Sequence, residues 1–69
     1  STVETVVFGR LYLVITASFR LCRIIRKSEN EGRLRLVSLK PERYDDIVLS
    51  KERIRALYRI CGTFQYWDG

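Results

Sequence analysis

Apolar positions alternate along the first part of the chain and stop alternating near Pro41. From Thr5 to Ala17 the odd positions Val7, Leu11, Leu13, Ile15 and Ala17 are uniformly apolar or small, which predicts a β-strand. The even positions Val6, Phe8, Arg10, Tyr12, Val14 and Thr16 mix aromatic, basic and apolar groups, as on a face open to a ligand. Gly9 interrupts the run and marks a bulge or bend. A second strand is expected from Phe19 to Lys27, after a connection at Ala17-Ser18 that lacks an Asn-Gly or Asp-Gly signal. Ser28 to Gly32 is a polar loop. Arg33 to Leu39 then gives a third strand, with Arg33 and Arg35 on one face and Leu34 and Leu36 on the other. If that arginine face continues the one carrying Arg10 and Tyr12, the sheet has a basic, aromatic side and an apolar side.

Beyond Pro41 the pattern predicts a helix. Proline suits a first helical turn, Glu42, Asp45 and Asp46 lie near its positive end, and Lys51, Arg53, Arg55 and Arg59 lie near its negative end. Tyr44, Ile47, Ile54, Leu57, Tyr58 and Cys61 recur at spacings of three, four and seven, although Lys51 breaks the stripe. The reading is one helix over about residues 41–61, with two shorter pieces meeting near Ser50 as the alternative, and Gly62 as its stop. The tail after it, residues 63–69, carries Phe64, Tyr66 and Trp67, an aromatic cluster of the kind that docks on the fold or a partner. The whole is expected to be one domain.

Composition narrows what such a chain can do. Its 69 residues make a small core at best, so a metal, a disulfide or oligomerisation should support it. There is no His, and Cys22 and Cys61 fit no zinc spacing, so no metal or other cofactor is expected. Two isolated thiols read as free cysteines of a reducing compartment, with a disulfide as the alternative. No window of about 18 uncharged apolar residues exists for a membrane span. A chain without Met that begins at Ser1 reads as processed, or as a domain of a longer protein. Catalysis is poorly supplied, because no nucleophile stands beside a base and Asp45 and Asp46 point to different faces of the expected helix.

The charge is localised. Lys and Arg number 13 against 8 Asp and Glu, a net +5. All of that excess lies in residues 1–40, and ten of the basic residues are arginine, the side chain that pairs bidentately with phosphate and stacks on flat rings. A strand half that combines Arg10, Arg20, Arg23, Arg26, Arg33 and Arg35 with Phe8, Tyr12 and Phe19 has what non-specific single-strand binding needs: cations along the phosphates and platforms for bases.

One resemblance extends this reading. Phe8-Gly9-Arg10-Leu11, a strand ending at Phe19, another ending Ile25-Arg26, and Gly32-Arg33 leading into Ser38-Leu39-Lys40-Pro41-Glu42-Arg43-Tyr44 resemble the single-stranded-DNA-binding domain of the transcriptional coactivator family called positive cofactor four. The likeness covers about residues 7–58, and its most specific piece is the run from Ser38 to Tyr44. It implies an α+β fold: a curved antiparallel sheet of about four strands and a C-terminal helix. Dimerisation would run through the helices, here Tyr44, Ile47, Ile54, Leu57 and Tyr58, and the sheets would form channels for single strands. Arg10 matches a basic residue after the family's Gly, Phe19 a stacking aromatic, and Arg26 a basic residue ending the second strand, with Arg23 as its competitor.

Departures are plain. The family's Lys-Gly-Lys turn is replaced by Ser18-Phe19-Arg20-Leu21, Ala17 stands where a basic residue belongs, and no Trp follows Arg26. The expectation is a non-catalytic single-stranded-DNA-binding homodimer of transcription or DNA maintenance, with no small-molecule substrate and no membrane. Its contacts would be Arg10, Tyr12, Phe19, Arg20, Arg23, Arg26, Arg33 and Arg35. Its place would be the nucleus or another reducing compartment, the cytoplasm if the source is prokaryotic or viral, and its partners could extend to the transcription machinery. The alternatives are an RNA-binding or annealing module and a domain that docks an acidic protein partner.

Overall fold

Alternation carries through the whole chain. The computed structural model describes residues 5–62. In it β1 (Leu11–Thr16), β2 (Arg20–Lys27), β3 (Arg33–Val37), β4 (Ile47–Ser50) and β5 (Ile54–Arg59) form one antiparallel sheet in the order β4-β3-β2-β1-β5. The first four strands are a meander. A single 3-10 turn, Lys51–Arg53, then carries the chain from one edge of the sheet to the other, where β5 pairs with β1.

Short polar contacts make the turns. Thr16 replaces the missing hairpin signal: its Oγ1 accepts from the backbone N–H groups of Ser18 (3.0 Å) and Phe19 (3.1 Å), while its own N–H donates to Phe19 O (2.9 Å). In the loop before β3, Asn30 Oδ1 accepts from Gly32 N (2.7 Å) and Ser28 Oγ lies 3.0 Å from Arg33 O.

The core lies on the inner face of this sheet. Tyr12 and Val14 of β1, Ile25 of β2, Leu34 and Leu36 of β3, Leu49 of β4 and Leu57 of β5 form one buried cluster to which every strand contributes. Both edge strands supply a member, so the sheet curls around the cluster. The register fixes the faces, because directly opposed residues share one: Val14 with Leu57, Ile25 with Leu36, and Leu34 with Leu49.

Arg23 sits among these residues. It is 4% exposed and lies opposite Tyr12 on the inner face. Its Nη1 donates to the carbonyl of Asp45 (2.9 Å) and lies 3.5 Å from that of Leu36, while its guanidinium stands 6.0 Å from the Tyr44 ring. Arg23 therefore ties β2 to the 38–46 connection.

The helix expected over residues 41–61 is not formed, so among the described residues the fold is a sheet with 3-10 and turn segments and not the α+β arrangement. Pro41 does open a helical turn, with Tyr44 N donating to Lys40 O (3.1 Å), and Ser38 Oγ accepts from Lys40 N (2.9 Å) as a cap would. One turn later Ile47 begins β4. The three-and-four spacing was a by-product of two short strands joined by a turn: Ile47 and Leu49 face inward from β4, Leu57 from β5, and Lys51, which broke the helical stripe, begins the 3-10 turn. A sheet with only three strands would leave the outer edge of β1 unpaired and its inner face half covered, and β4 and β5 remove both defects. The aromatic tail lies outside the described residues.

The buried guanidinium makes a stability prediction. Arg23→Ala leaves the Asp45 carbonyl without its donor and a void beside Tyr12, so unfolding in urea should show a loss of roughly 2–4 kcal/mol. Arg33→Ala, at an exposed strand position, should stay within about 0.5 kcal/mol of the parent. Equal effects would remove Arg23 from the core's support.

Candidate functional site

With one face consumed by the core, the other carries the exposed chemistry. Its middle is apolar: Leu11, Leu13 and Ile15 of β1, Cys22 and Ile24 of β2, Val37 of β3 and Ala56 of β5 are half-buried. Arginines stand at both ends. Arg20 lies opposite Ile15 at one end, and Arg26 and Arg35 are direct cross-strand partners at the other, with Arg33 next along β3. Like charges opposed in this way repel, and at an exposed surface they persist at little cost while an anion between them would relieve the repulsion.

Gly9 completes that row. Gly9 N donates to Ile25 O (2.8 Å) and Ile25 N to Arg10 O (3.1 Å), so Gly9 and Arg10 together oppose Ile25 as a bulge at the end of the β1–β2 ladder, with Gly9 against the Arg26 guanidinium. Its φ of 88° is in the region that favours glycine, and a methyl group there would stand 3.3 Å from Arg26 Nη1. The bend read from the sequence thus serves as a seat for a guanidinium.

Two recesses flank the Gly9–Arg26–Arg35 row. On the β3–β4 side, Lys27, Arg33 and Arg35 with Ser28, Asn30 and Val48 line an open pocket of about 350 Å³. Glu29 also lines it, and Asp46 approaches Arg35 at 3.7 Å. On the β1–β5 side, Leu11, Ile24, Leu39 and Ile60 with Arg10 and Arg59 line a second of about 370 Å³. Among the described residues no group of three or more His, Cys, Asp or Glu gathers to hold a metal.

The residues singled out from the sequence divide by strand parity. Arg20, Arg26, Arg33 and Arg35 share the outer face, and Arg10, exposed, lines the second recess. Tyr12 does not reach it: its ring is in the core and its hydroxyl accepts from Val7 N (2.9 Å). Arg23 is buried on the same inner face. Phe19, half-buried, packs against the core cluster, so it too is turned away from the arginines. The basic face is therefore not the face of Tyr12, and the apolar odd positions of β1 lie beside the arginines instead of opposite them. The proposed dimer residues scatter as well: Leu57 is buried, Ile47 and Ile54 pack on the core, Tyr44 lies under Arg23 and Arg43, and Tyr58 is exposed. With no helix to present them, they form no common surface.

Tyr58 is the residue that sequence reading misplaced. It lies opposite Leu13 on the outer face and is 59% exposed, an aromatic on the arginine side. Strand alternation in Ala56-Leu57-Tyr58 could have found it. Compared with protein-family models, with curated proteins and with solved structures, the chain finds no significant match.

The geometry yields two predictions. Gly9→Ala should destabilise the fold by about 1 kcal/mol in chemical denaturation, because an L side chain is strained at that φ and must displace Arg26. Asp46→Asn, which removes the carboxylate beside Arg35, should raise affinity for a polyanion such as heparin roughly twofold at low salt, with the gain fading as salt is added. An unchanged affinity would show that Asp46 does not restrain Arg35.

Proposed function

We propose that this protein is a non-catalytic module that binds single-stranded nucleic acid, DNA in the first place, on the outer face of its sheet, in transcription or DNA maintenance. The observation that carries the reading is the convergence of Arg26, Arg33 and Arg35 on one exposed end of that face, with Arg20 at the other end and an apolar band between. Phosphates are held by such cations, and unstacked bases lie on apolar and aromatic surface, each stack contributing about 1–3 kcal/mol. Of the aromatics assigned a stacking role from sequence, Phe8, Tyr12 and Phe19, the exposed Phe8 keeps it, and Tyr58 takes the place of the other two. Duplex would be bound less well, since its bases are sequestered from the band. The reading does not need the helix-mediated dimer, and it stands on the sheet and not on the likeness of Ser38–Tyr44 to a helix start.

Fluorescence-anisotropy titration of a labelled oligothymidylate tests it. Binding should prefer the single strand to the matched duplex and weaken with salt, log K falling by about 0.7 per phosphate neutralised for each unit of log salt. Arg26→Gln combined with Arg35→Gln should lower both the affinity and the slope. A parallel titration with the matched RNA oligomer assigns the sugar preference. No preference for single strand over duplex, or no salt dependence, would reject the reading.

A further inference from the structure

The recess on the β1–β5 side is lined by a different set of residues from the basic pocket at the other end of the row. The basic pocket sets Lys27, Arg33 and Arg35 against a single carboxylate, Glu29, which suits a phosphate. The second is lined by the aliphatic residues Leu11, Ile24, Leu39 and Ile60 together with polar surface, and Arg10 is its cation; Arg59 borders it from the Tyr12 side of β5. Its roughly 370 Å³ falls in the range of about 300–1,000 Å³ typical of small-ligand sites. A purely anionic ligand would gain nothing from the aliphatic walls, and a purely apolar one would gain nothing from Arg10.

Its walls are fixed by the sheet. Leu11 and Ile24 are direct cross-strand partners, and Ile60 N donates to Leu11 O (3.0 Å), which holds the end of β5 beside the β1–β2 pair. Gly9, with no side chain, leaves the approach from Arg26 open. Arg26 stands between the recess and the Arg33–Arg35 pocket.

We infer that this recess is a base pocket: one unpaired nucleobase of the bound strand enters it, flat against Leu11, Ile24 and Leu39, while the adjoining phosphates lie on Arg10 and then on Arg26 toward Arg33 and Arg35. The strand accordingly crosses the β-strands at the Gly9 end of the sheet. The inference rests on the proposed single-strand binding and adds where a base goes and which way the strand runs. It also explains why arginine rather than lysine surrounds an aliphatic recess, since guanidinium planes lie over base edges as readily as over phosphate.

The test compares oligothymidylate of about ten nucleotides, within the ~4–16 nucleotides of single-strand modules, with an abasic strand of equal length and charge. The parent protein should bind the base-bearing strand roughly tenfold more tightly. Leu39→Gln, at an exposed position, removes an aliphatic wall without adding an aromatic platform; it should reduce that difference severalfold and leave abasic binding and its salt slope unchanged. Cys61, exposed and lining the recess, gives a second readout: in the Cys22→Ser protein, maleimide labelling of Cys61 should slow with the base-bearing strand and not with the abasic one. Equal binding of the two strands by the parent protein, or a discrimination that survives Leu39→Gln with Cys61 unprotected, overturns the base pocket while leaving phosphate binding in place. Binding of neither strand overturns the pocket and the proposed function together.

Discussion

Every strand of this protein is held by one demand, that a single inner face be closed with very few side chains. Among the described residues seven apolar ones form the buried cluster, and they come from all five strands. Each large aliphatic removed from water contributes about 1.5–3 kcal/mol, so none can be spared in a chain this short. A flat sheet would leave such a row wet on one side, and there is no second layer among the described residues to cover it. Curling brings Leu49 of β4 and Leu57 of β5 into the same cluster from opposite edges, and the 3-10 turn is short enough to carry the chain between them.

A charged residue is buried within that inner face. Arg23 is buried opposite Tyr12 and reaches the carbonyls of Asp45 and Leu36. Hydrogen bonds from a charged donor to backbone oxygens offset part of the desolvation cost, and the Tyr44 ring face lies nearby. The long aliphatic stem meanwhile fills space that a shorter polar side chain would leave empty. The 38–46 connection is thereby fixed, and with it the start of β4. A residue whose type suggested phosphate binding thus does the work of a core residue.

Three strands were legible because their alternation is uninterrupted and their loops are rich in Ser, Asn and Gly. Their observed extents fall inside the expected ones, shortened mainly before Leu11 and after Val37. Strands β4 and β5 were not legible as strands, because β4 has only four residues and the turn between the two sets the apolar residues of both at helical spacing. The faces were read with the wrong parity for a related reason. In β1 both sets of positions are largely apolar, so the sequence does not say which set is inside, and Tyr12 looked like a surface aromatic when it was a core one. The pairing of Val14 with Leu57, invisible without β5, decides it. In β3 there was no such ambiguity, since Arg33 and Arg35 cannot both be buried beside Leu34 and Leu36, and the two arginines do share the exposed face.

The same parity explains why basic and apolar chemistry meet on one surface. With the inner face filled, the odd residues of β1 have nowhere to go but outward, next to Arg20 and Arg26 of β2. An outer face of aliphatic residues alone would invite self-association through the sheet. Arginines at both ends oppose this, because a second copy laid face to face in antiparallel fashion would set the Arg20 end of one against the Arg26–Arg35 end of the other, positive against positive. The surface that remains favourable to such a face is one that carries negative charge and flat apolar groups together, in alternation and along a line. Among biological polymers, an unpaired nucleic-acid strand has that repeat in its covalent structure.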